Sequence, residues 1–267
     1  MIETSKAVIL ARGLGKRMRA AASVSANLSQ EQMRIAENGV KGMIPFGRPF
    51  LDYSISALAE AGCKRICLVI GPEHEVIREY YKQLPARRVA ISFAIQQQPL
   101  GTADAVRAAA DFVGRDNFLV VNSDNYYPVE ALRRLRMLSA SGVVGFERRG
   151  LVQYGNIDEE RLRGYAVIER DERGELSRIE EKPASIEPRA LISMNSWSFT
   201  PQIFGACESI EPSARGEYEL PSAVQYSIEH LGVHFRVVEY CGGVLDLSTR
   251  SDIGAVARHL EGISVDL

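Results

Sequence analysis

The sequence predicts an α/β protein of three layers, with a mostly parallel central sheet and an added antiparallel region in its second half. Three observations carry this. Apolar runs rich in β-branched residues alternate with helical stretches from residue 7 to about 140, the pattern of strands buried on both faces between crossover helices. The first run, Ala7-Val8-Ile9-Leu10, stops at a glycine turn followed by Lys16 and Arg17. Beyond residue 140, strand-like stretches follow one another, two of them joined by the turn Asp171-Glu172-Arg173-Gly174, which reads as a hairpin.

Taken in order, residues 20–39 are polar and rich in Ala and Ser, and Ser29-Gln30-Glu31-Gln32 forms a capping-box pattern with Gly39 as the helix stop. This reads as a short helix on a long loop. A helix over 49–61 has Pro49 at its first position and Gly62 beyond its end. Strands at 65–70, 89–95 and 118–121 then alternate with helices at 73–83 and 102–112. A helix runs from Pro128, with Tyr127 as its cap, to about 140, and strands follow at 143–148, 165–170, 176–180 and 191–199. Helices at 218–230 and 250–261 enclose a strand at 233–239. Thr249 and Asp252 make a second capping box.

A chain of 267 residues suits one large α/β domain or two small ones. With a net charge of −2 and a pI near 6.2 it has no global basic field for nucleic acid or an anionic membrane. Any phosphate binding must be local. Cys63, Cys67, Cys207 and Cys241 lack the spacing of a zinc or redox motif and read as small buried hydrophobes. Arg12 breaks the first apolar run at once, so neither a signal peptide nor a membrane span is expected there, and a cytoplasmic protein is the default.

Chemistry is expected where parallel strands end. The turn Arg12-Gly13-Leu14-Gly15-Lys16-Arg17 can aim backbone N–H groups at an anion, with Lys16 and Arg17 as countercharge, or serve as an ordinary βα turn. It fits neither a dinucleotide fingerprint nor a Walker A loop. Asp124, at the next strand end in Asn122-Ser123-Asp124, is either a Mg²⁺ ligand or a turn former. Asp246 is a spare acid near the last helix, open to a structural basic partner. In Glu180-Glu181-Lys182-Pro183 the residue before Pro is held extended, which fixes the direction of Lys182 unless the stretch is a solvated strand end. Gln96 to Thr102 precedes a helix; N–H groups at Gly101 and Thr102 and the Gln96 amide could meet a nucleobase, or form an exposed connection. The histidines sit beside no nucleophile.

Together these stretches resemble the sugar-1-phosphate nucleotidylyltransferases, of the glucose-1-phosphate thymidylyl- and uridylyltransferase kind. The resemblance is ordered along nearly the whole chain: Leu10 to Met18, Lys41-Gly42-Met43-Ile44-Pro45, Pro99-Leu100-Gly101-Thr102-Ala103-Asp104-Ala105-Val106, Asn122-Ser123-Asp124, Glu181-Lys182-Pro183, Gly216-Glu217-Tyr218-Glu219-Leu220 and Asp246-Leu247-Ser248-Thr249. It implies a Rossmann-like nucleotidyltransferase fold over 1–267, with a nucleotide-binding half at 1–125 and a sugar-phosphate-binding half at 126–267.

The resemblance implies that Leu10, Ala11, Gly13, Gly15, Lys16, Arg17, Gln96, Gly101 and Thr102 bind the nucleotide, with Gln96 reading the base. Gly164, Glu181, Lys182, Asn195 and Glu217 would contact the sugar phosphate, and Asp124 and Asp246 would hold Mg²⁺. Arg17, Lys41, Lys182 and Asp124 would be the catalytic set. The implied partners are a nucleoside triphosphate, most readily UTP or dTTP, and a sugar 1-phosphate, with a homo-oligomer left open. A sugar phosphate is already anionic at neutral pH, so no general base is required. Adenylyl, guanylyl or cytidylyl transfer, and a non-catalytic nucleotide-sugar sensor, are the alternatives. Arg12, Lys16, Val40, Trp197 and Ser248 depart from the family pattern, and residues 20–39 are longer than usual. Arg12 and Lys16 make the loop more basic, which favours a triphosphate. Trp197 is either a sugar-pocket residue or a core aromatic.

Overall fold

The structure is a computed structural model and describes residues 4–20 and 28–267. Strands Lys6–Leu10 (β1), Arg65–Ile70 (β2), Ala90–Ile95 (β3) and Phe118–Asn122 (β4) run parallel in the order β3-β2-β1-β4. Alternation along these strands explains the three layers. Ala7 and Ile9 of β1, with Ile66, Leu68, Leu119 and Val121, enter one apolar core, while Val8 and Leu10, with Cys67, Val69, Phe118 and Val120, enter another on the opposite face. Successive side chains of a strand point to opposite faces, so a run apolar at every position needs helices on both sides. Phe50–Glu60 and Val129–Arg136 cover the first face, and Thr102–Ala108, Ile203–Ser209 and Leu220–Leu231 the second.

Asn125–Tyr126 (β5) leaves the sheet. Gly142–Glu147 (β6), Ala166–Arg170 (β7), Leu176–Glu180 (β8), Leu191–Phe199 (β9) and Arg236–Tyr240 (β10) complete it. The sheet order is β10-β6-β9-β4-β1-β2-β3, with β9 antiparallel to both β4 and β6, and the β7-β8 hairpin docked on β9. Leu245–Asp246 (β11) pairs antiparallel with β5. A third apolar cluster joins Met18, Ala36, Ile44 and Phe50 to Leu247, Ile253 and Val256, so the last helix packs over the glycine turn that follows β1. Chain order reverses at β1, with β2 on one side and β4 on the other, which opens a crevice at their carboxyl ends.

The predicted strands are present within a few residues of their expected bounds. Several other expectations are corrected. The capping box at Ser29 forms, with Gln32 N–H donating to Ser29 Oγ at 3.1 Å, and Gly39 closes the helix Gln30–Asn38; residues 21–27 of the expected long loop lie outside the described residues. Pro49 and Pro128 are caps rather than first helical residues. The helix expected over 102–112 breaks at Ala109 into Thr102–Ala108 and Ala110–Val113, whose last carbonyls, at Phe112 and Val113, accept from Lys6 Nζ at 2.8 and 2.7 Å. The helix expected from 218 begins at Leu220, because Tyr218 N–H donates to Leu100 and Tyr218 carbonyl accepts from Ala103 N–H.

Only half of the expected second capping box exists: the Asp252 carboxylate accepts from Thr249 N–H at 2.7 Å, but the Thr249 hydroxyl donates to that carboxylate instead of accepting. Lys182 is not extended; its φ is +47°, left-handed backbone that a non-glycine residue adopts at a cost. Trp197 is fully buried, stacked on Phe199 with centroids 5.6 Å apart and edge-on to Phe235, so it is a core aromatic. Cys63, Cys67 and Cys207 are buried, their thiols pushed up by burial, while Cys241 is exposed. Among the described residues, no helix is long and apolar enough to cross a membrane.

Candidate active site

The crevice at the ends of β1 and β4 is a cavity of about 370 Å³. Residues 10–17 form one wall. Ala11 N–H is already bonded to the Val69 carbonyl at 2.8 Å, and the Leu10 carbonyl accepts from Ser123 N–H, so these two residues contribute an apolar floor. Beyond them the backbone is open: among the described residues, none accepts a hydrogen bond from the main-chain N–H groups of residues 13–17. Unpaired N–H groups on residues that line a cleft, with exposed Lys16 and Arg17 among them, are suited to an anion.

Gly15 is required by geometry. Its φ is +58°, and a Cβ there would lie 2.3 Å from the Gly39 carbonyl oxygen. Gly15→Ala is therefore expected to destabilise the fold by about 1–3 kcal/mol, read as a lower urea midpoint at unchanged slope. Arg12 lines the cavity as well, but its charge is partly balanced there: its guanidinium pairs with Glu73 at 3.2 Å and donates to the Gln96 carbonyl at 2.5 Å.

Asp124 stands at the end of β4, with its main-chain carbonyl accepting from Leu247 N–H at 2.8 Å. The β5-β11 ladder places Asn125 opposite Asp246, bringing the two acids to neighbouring positions although 122 residues separate them in sequence. Asp124 Oδ2 accepts from Lys41 Nζ at 2.8 Å. Lys41 opens the 3-10 turn Lys41–Met43, an element that the sequence reading did not foresee. Asp246 is 3% exposed. It accepts from Asn125 Nδ2 at 3.1 Å and pairs with Arg161, which also reaches Asp252 at 2.7 Å. Burial, and then the nearby Asp124 carboxylate, hold the Asp246 carboxyl above the usual range.

Asp124 lines the cavity and can offer a carboxylate to a hard divalent cation; Asp246 is absent from the lining, its two oxygens accept from Asn125 and Arg161, the structural basic partner that the sequence left open, and it would have to release Arg161 to join the same ion. Among the described residues no group of three or more His, Cys, Asp or Glu side chains is placed to hold a metal ion.

The opposite wall is formed by Gln96, Pro99, Gly101, Thr102, Ala105 and Glu217. Gly101 has φ +113°, and a Cβ there would meet the Tyr218 carbonyl oxygen at 2.4 Å. Tyr218 and Leu220 bond back to Leu100, Ala103 and Thr102 Oγ1, so the stretch 216–220 is stitched to the start of helix Thr102–Ala108 and carries Glu217 into the cavity wall.

The remaining expected residues, Asp246 included, do not line this cavity. Glu181 and Lys182 are exposed at the end of β8, near Arg215 and Glu219, which bond each other at 2.8 Å. Protein packed around the Glu181 carboxyl, and then the Glu219 carboxylate, raise its pKa. Asn195 has φ +56° and sits in an irregularity of β9 against β6, with its Oδ1 3.4 Å from Trp197 Nε1. Gly164 ends the 3-10 turn Arg161–Gly164 and is exposed, with open space where a Cβ would stand. Arg161, Asn125, Asn156 and Arg215 were not foreseen. The first three surround Asp246, with Asn156 Oδ1 accepting from Asp246 N–H at 2.7 Å; their sequence positions carry no motif.

The chain is 27% identical over 260 residues to UTP--glucose-1-phosphate uridylyltransferase AglF of Haloferax volcanii, covering 96% of each chain. It is 30% identical over 226 residues to a glucose-1-phosphate thymidylyltransferase of Streptomyces antibioticus, covering 84% of this chain and 58% of that one. Its fold superposes on that of UDP-glucose pyrophosphorylase, in a structure complexed with UDP-glucose, with a TM-score of 0.74 over 97% of this chain and 98% of that one, at 19% identity. The sequence model of the Nucleotidyl transferase family matches residues 6–260, from the first residue of β1 to the end of the last helix, and the chain belongs to that family.

Proposed function

We propose that this protein transfers the nucleotidyl group of UTP or dTTP to a sugar 1-phosphate, giving a nucleotide-sugar and pyrophosphate, in the cytoplasm. The observation that carries the reading is the single cavity in which the open N–H groups of residues 13–17, the Lys41-Asp124 pair and the Gln96-Gly101-Thr102 edge face one another. The relatives named for uridylyl and thymidylyl transfer to glucose 1-phosphate support the choice of substrates. Residues 1–125 would supply most of the nucleotide site, and residues 126–267 the sugar-phosphate side.

In this reading the N–H groups of Gly13 and Gly15, with Lys16 and Arg17, grip the β- and γ-phosphates, and Gln96, Gly101 and Thr102 hold the base. The acceptor phosphate lies between Lys182 and the transferred phosphate, with Glu181, Asn195, Gly164 and Glu217 toward the sugar. Lys41 stands beside the transferred phosphate and Asp124. Mg²⁺ held by Asp124 and Asp246 would supply positive charge to the phosphates as pyrophosphate leaves. The reaction brings two anions together, so the main task of these side chains is to neutralise and align. A panel of UTP, dTTP, CTP, ATP and GTP against several sugar 1-phosphates, scored by pyrophosphate release with and without Mg²⁺, tests this. Activity with UTP or dTTP that EDTA abolishes is expected; inactivity with both pyrimidines across the panel contradicts it.

A further inference from the structure

The Gln96 side chain is held in one orientation. The residue is 4% exposed, and Nε2 donates to the Gly101 carbonyl at 3.0 Å and to Asp104 Oδ2 at 2.9 Å. Asp104 is fixed in turn, because Arg107 donates to its other oxygen at 2.9 Å. Neither a carbonyl nor a carboxylate has a hydrogen to give. Turning the amide over would set oxygen against oxygen at both contacts. The main chain is fixed too, since Gln96 N–H donates to the Ile70 carbonyl at 2.9 Å and the Gln96 carbonyl accepts from Arg12.

Both donors of the amide are therefore committed to the protein. Its Oε1 accepts no hydrogen bond from the described residues and is not sealed from solvent, and Gln96 lines the cavity. An amide free to turn can serve a donor or an acceptor; this one offers only an acceptor.

We propose that Asp104, with the Gly101 carbonyl, sets the polarity of Gln96 so that the cavity accepts uracil or thymine and rejects cytosine. The proposal rests on Gln96 facing the base. Uracil and thymine carry an N–H at ring position 3, which Oε1 can accept. Cytosine carries a lone pair there, and two acceptors face each other without a hydrogen between them. Leaving both unpaired in a closed site is what makes such discrimination strong. Asp104 is not part of the cavity lining and acts through Gln96, so it is a positioning residue.

The test is the ratio of CTP to UTP dissociation constants, measured by calorimetry with Mg²⁺ for the wild type, Asp104→Asn, Asp104→Ala and Gln96→Leu. A ratio taken on one preparation does not depend on the fraction folded, so partial loss of fold leaves it readable. UTP is expected to bind the wild type more tightly than CTP. Both Asp104 variants are expected to narrow the ratio by about tenfold, the worth of one hydrogen bond to a fixed partner, and Gln96→Leu to narrow it at least as much. A ratio unchanged in both Asp104 variants but narrowed in Gln96→Leu overturns the lock and leaves the base contact standing. A ratio unchanged in Gln96→Leu removes the base contact, and the lock with it.

Discussion

Asp124→Asn is expected to lower turnover by roughly 10²–10³-fold while leaving the fold in place. Asn is nearly isosteric with Asp, and the fold uses the main chain of Asp124 rather than its side chain: its carbonyl holds Leu247 N–H at 2.8 Å in either variant. What is lost is charge. The Asp124-Lys41 ion pair is partly exposed, with side-chain exposures of 28% and 12%, so its contribution to stability is only about 1 kcal/mol. In the proposed reaction the same carboxylate holds Mg²⁺ and sets the position of Lys41, and both effects fall on the transition state. Steady-state kinetics beside a thermal melt separate the two. A large fall in rate with a melting point within a few degrees is the expected pair of results; a collapse of the fold at equal residual specific activity would assign Asp124 to structure alone.

Lys41→Met is expected to reduce kcat by about 10²-fold, comparable to removing one preorganised contact to a developing charge. Methionine keeps the length and most of the volume of lysine, and Lys41 sits in a turn whose Gly42 and Met43 are buried, so packing is little disturbed. Asp124 is left without its cation, but it lines the cavity and is 28% exposed, so the uncompensated charge is tolerated. The informative experiment is the double variant. Groups that act as a unit are not additive, and Asp124→Asn with Lys41→Met is expected to be no more than a few-fold slower than the worse single variant. Multiplied losses would mean that the two side chains act independently.

How far the site was legible in the sequence depends on whether its residues lie in local motifs. The glycine turn, Lys41, Gln96, Gly101, Thr102, Asp124 and Glu217 sit at strand ends or helix starts, and these are positions that a parallel sheet gathers at one edge; all of them line the cavity. The strands were legible for a related reason, since an apolar run in β1, β2 or β4 reports burial on both faces directly. Arg161 and Asn156 could not be seen because their role comes from a two-residue ladder, β5 with β11, too short to leave a period. Arg12 was read as adding charge to the loop; that Glu73 balances this charge was not legible, because the two lie 61 residues apart. Lys182 was misjudged by the rule for residues before proline, which the surrounding chain overrides at φ +47°. Trp197 was left open, and its stacking on Phe199 settles it as core.

The central claim is that the cavity directs attack of a sugar phosphate on the α-phosphorus of a pyrimidine triphosphate. Phosphorus NMR of the protein with UTP, glucose 1-phosphate and Mg²⁺ reports that event directly. Equal amounts of pyrophosphate and of a new nucleotide diphosphate ester are expected, appearing as the two substrates disappear together. Release of inorganic phosphate or UDP, or consumption of UTP while glucose 1-phosphate persists, would contradict it.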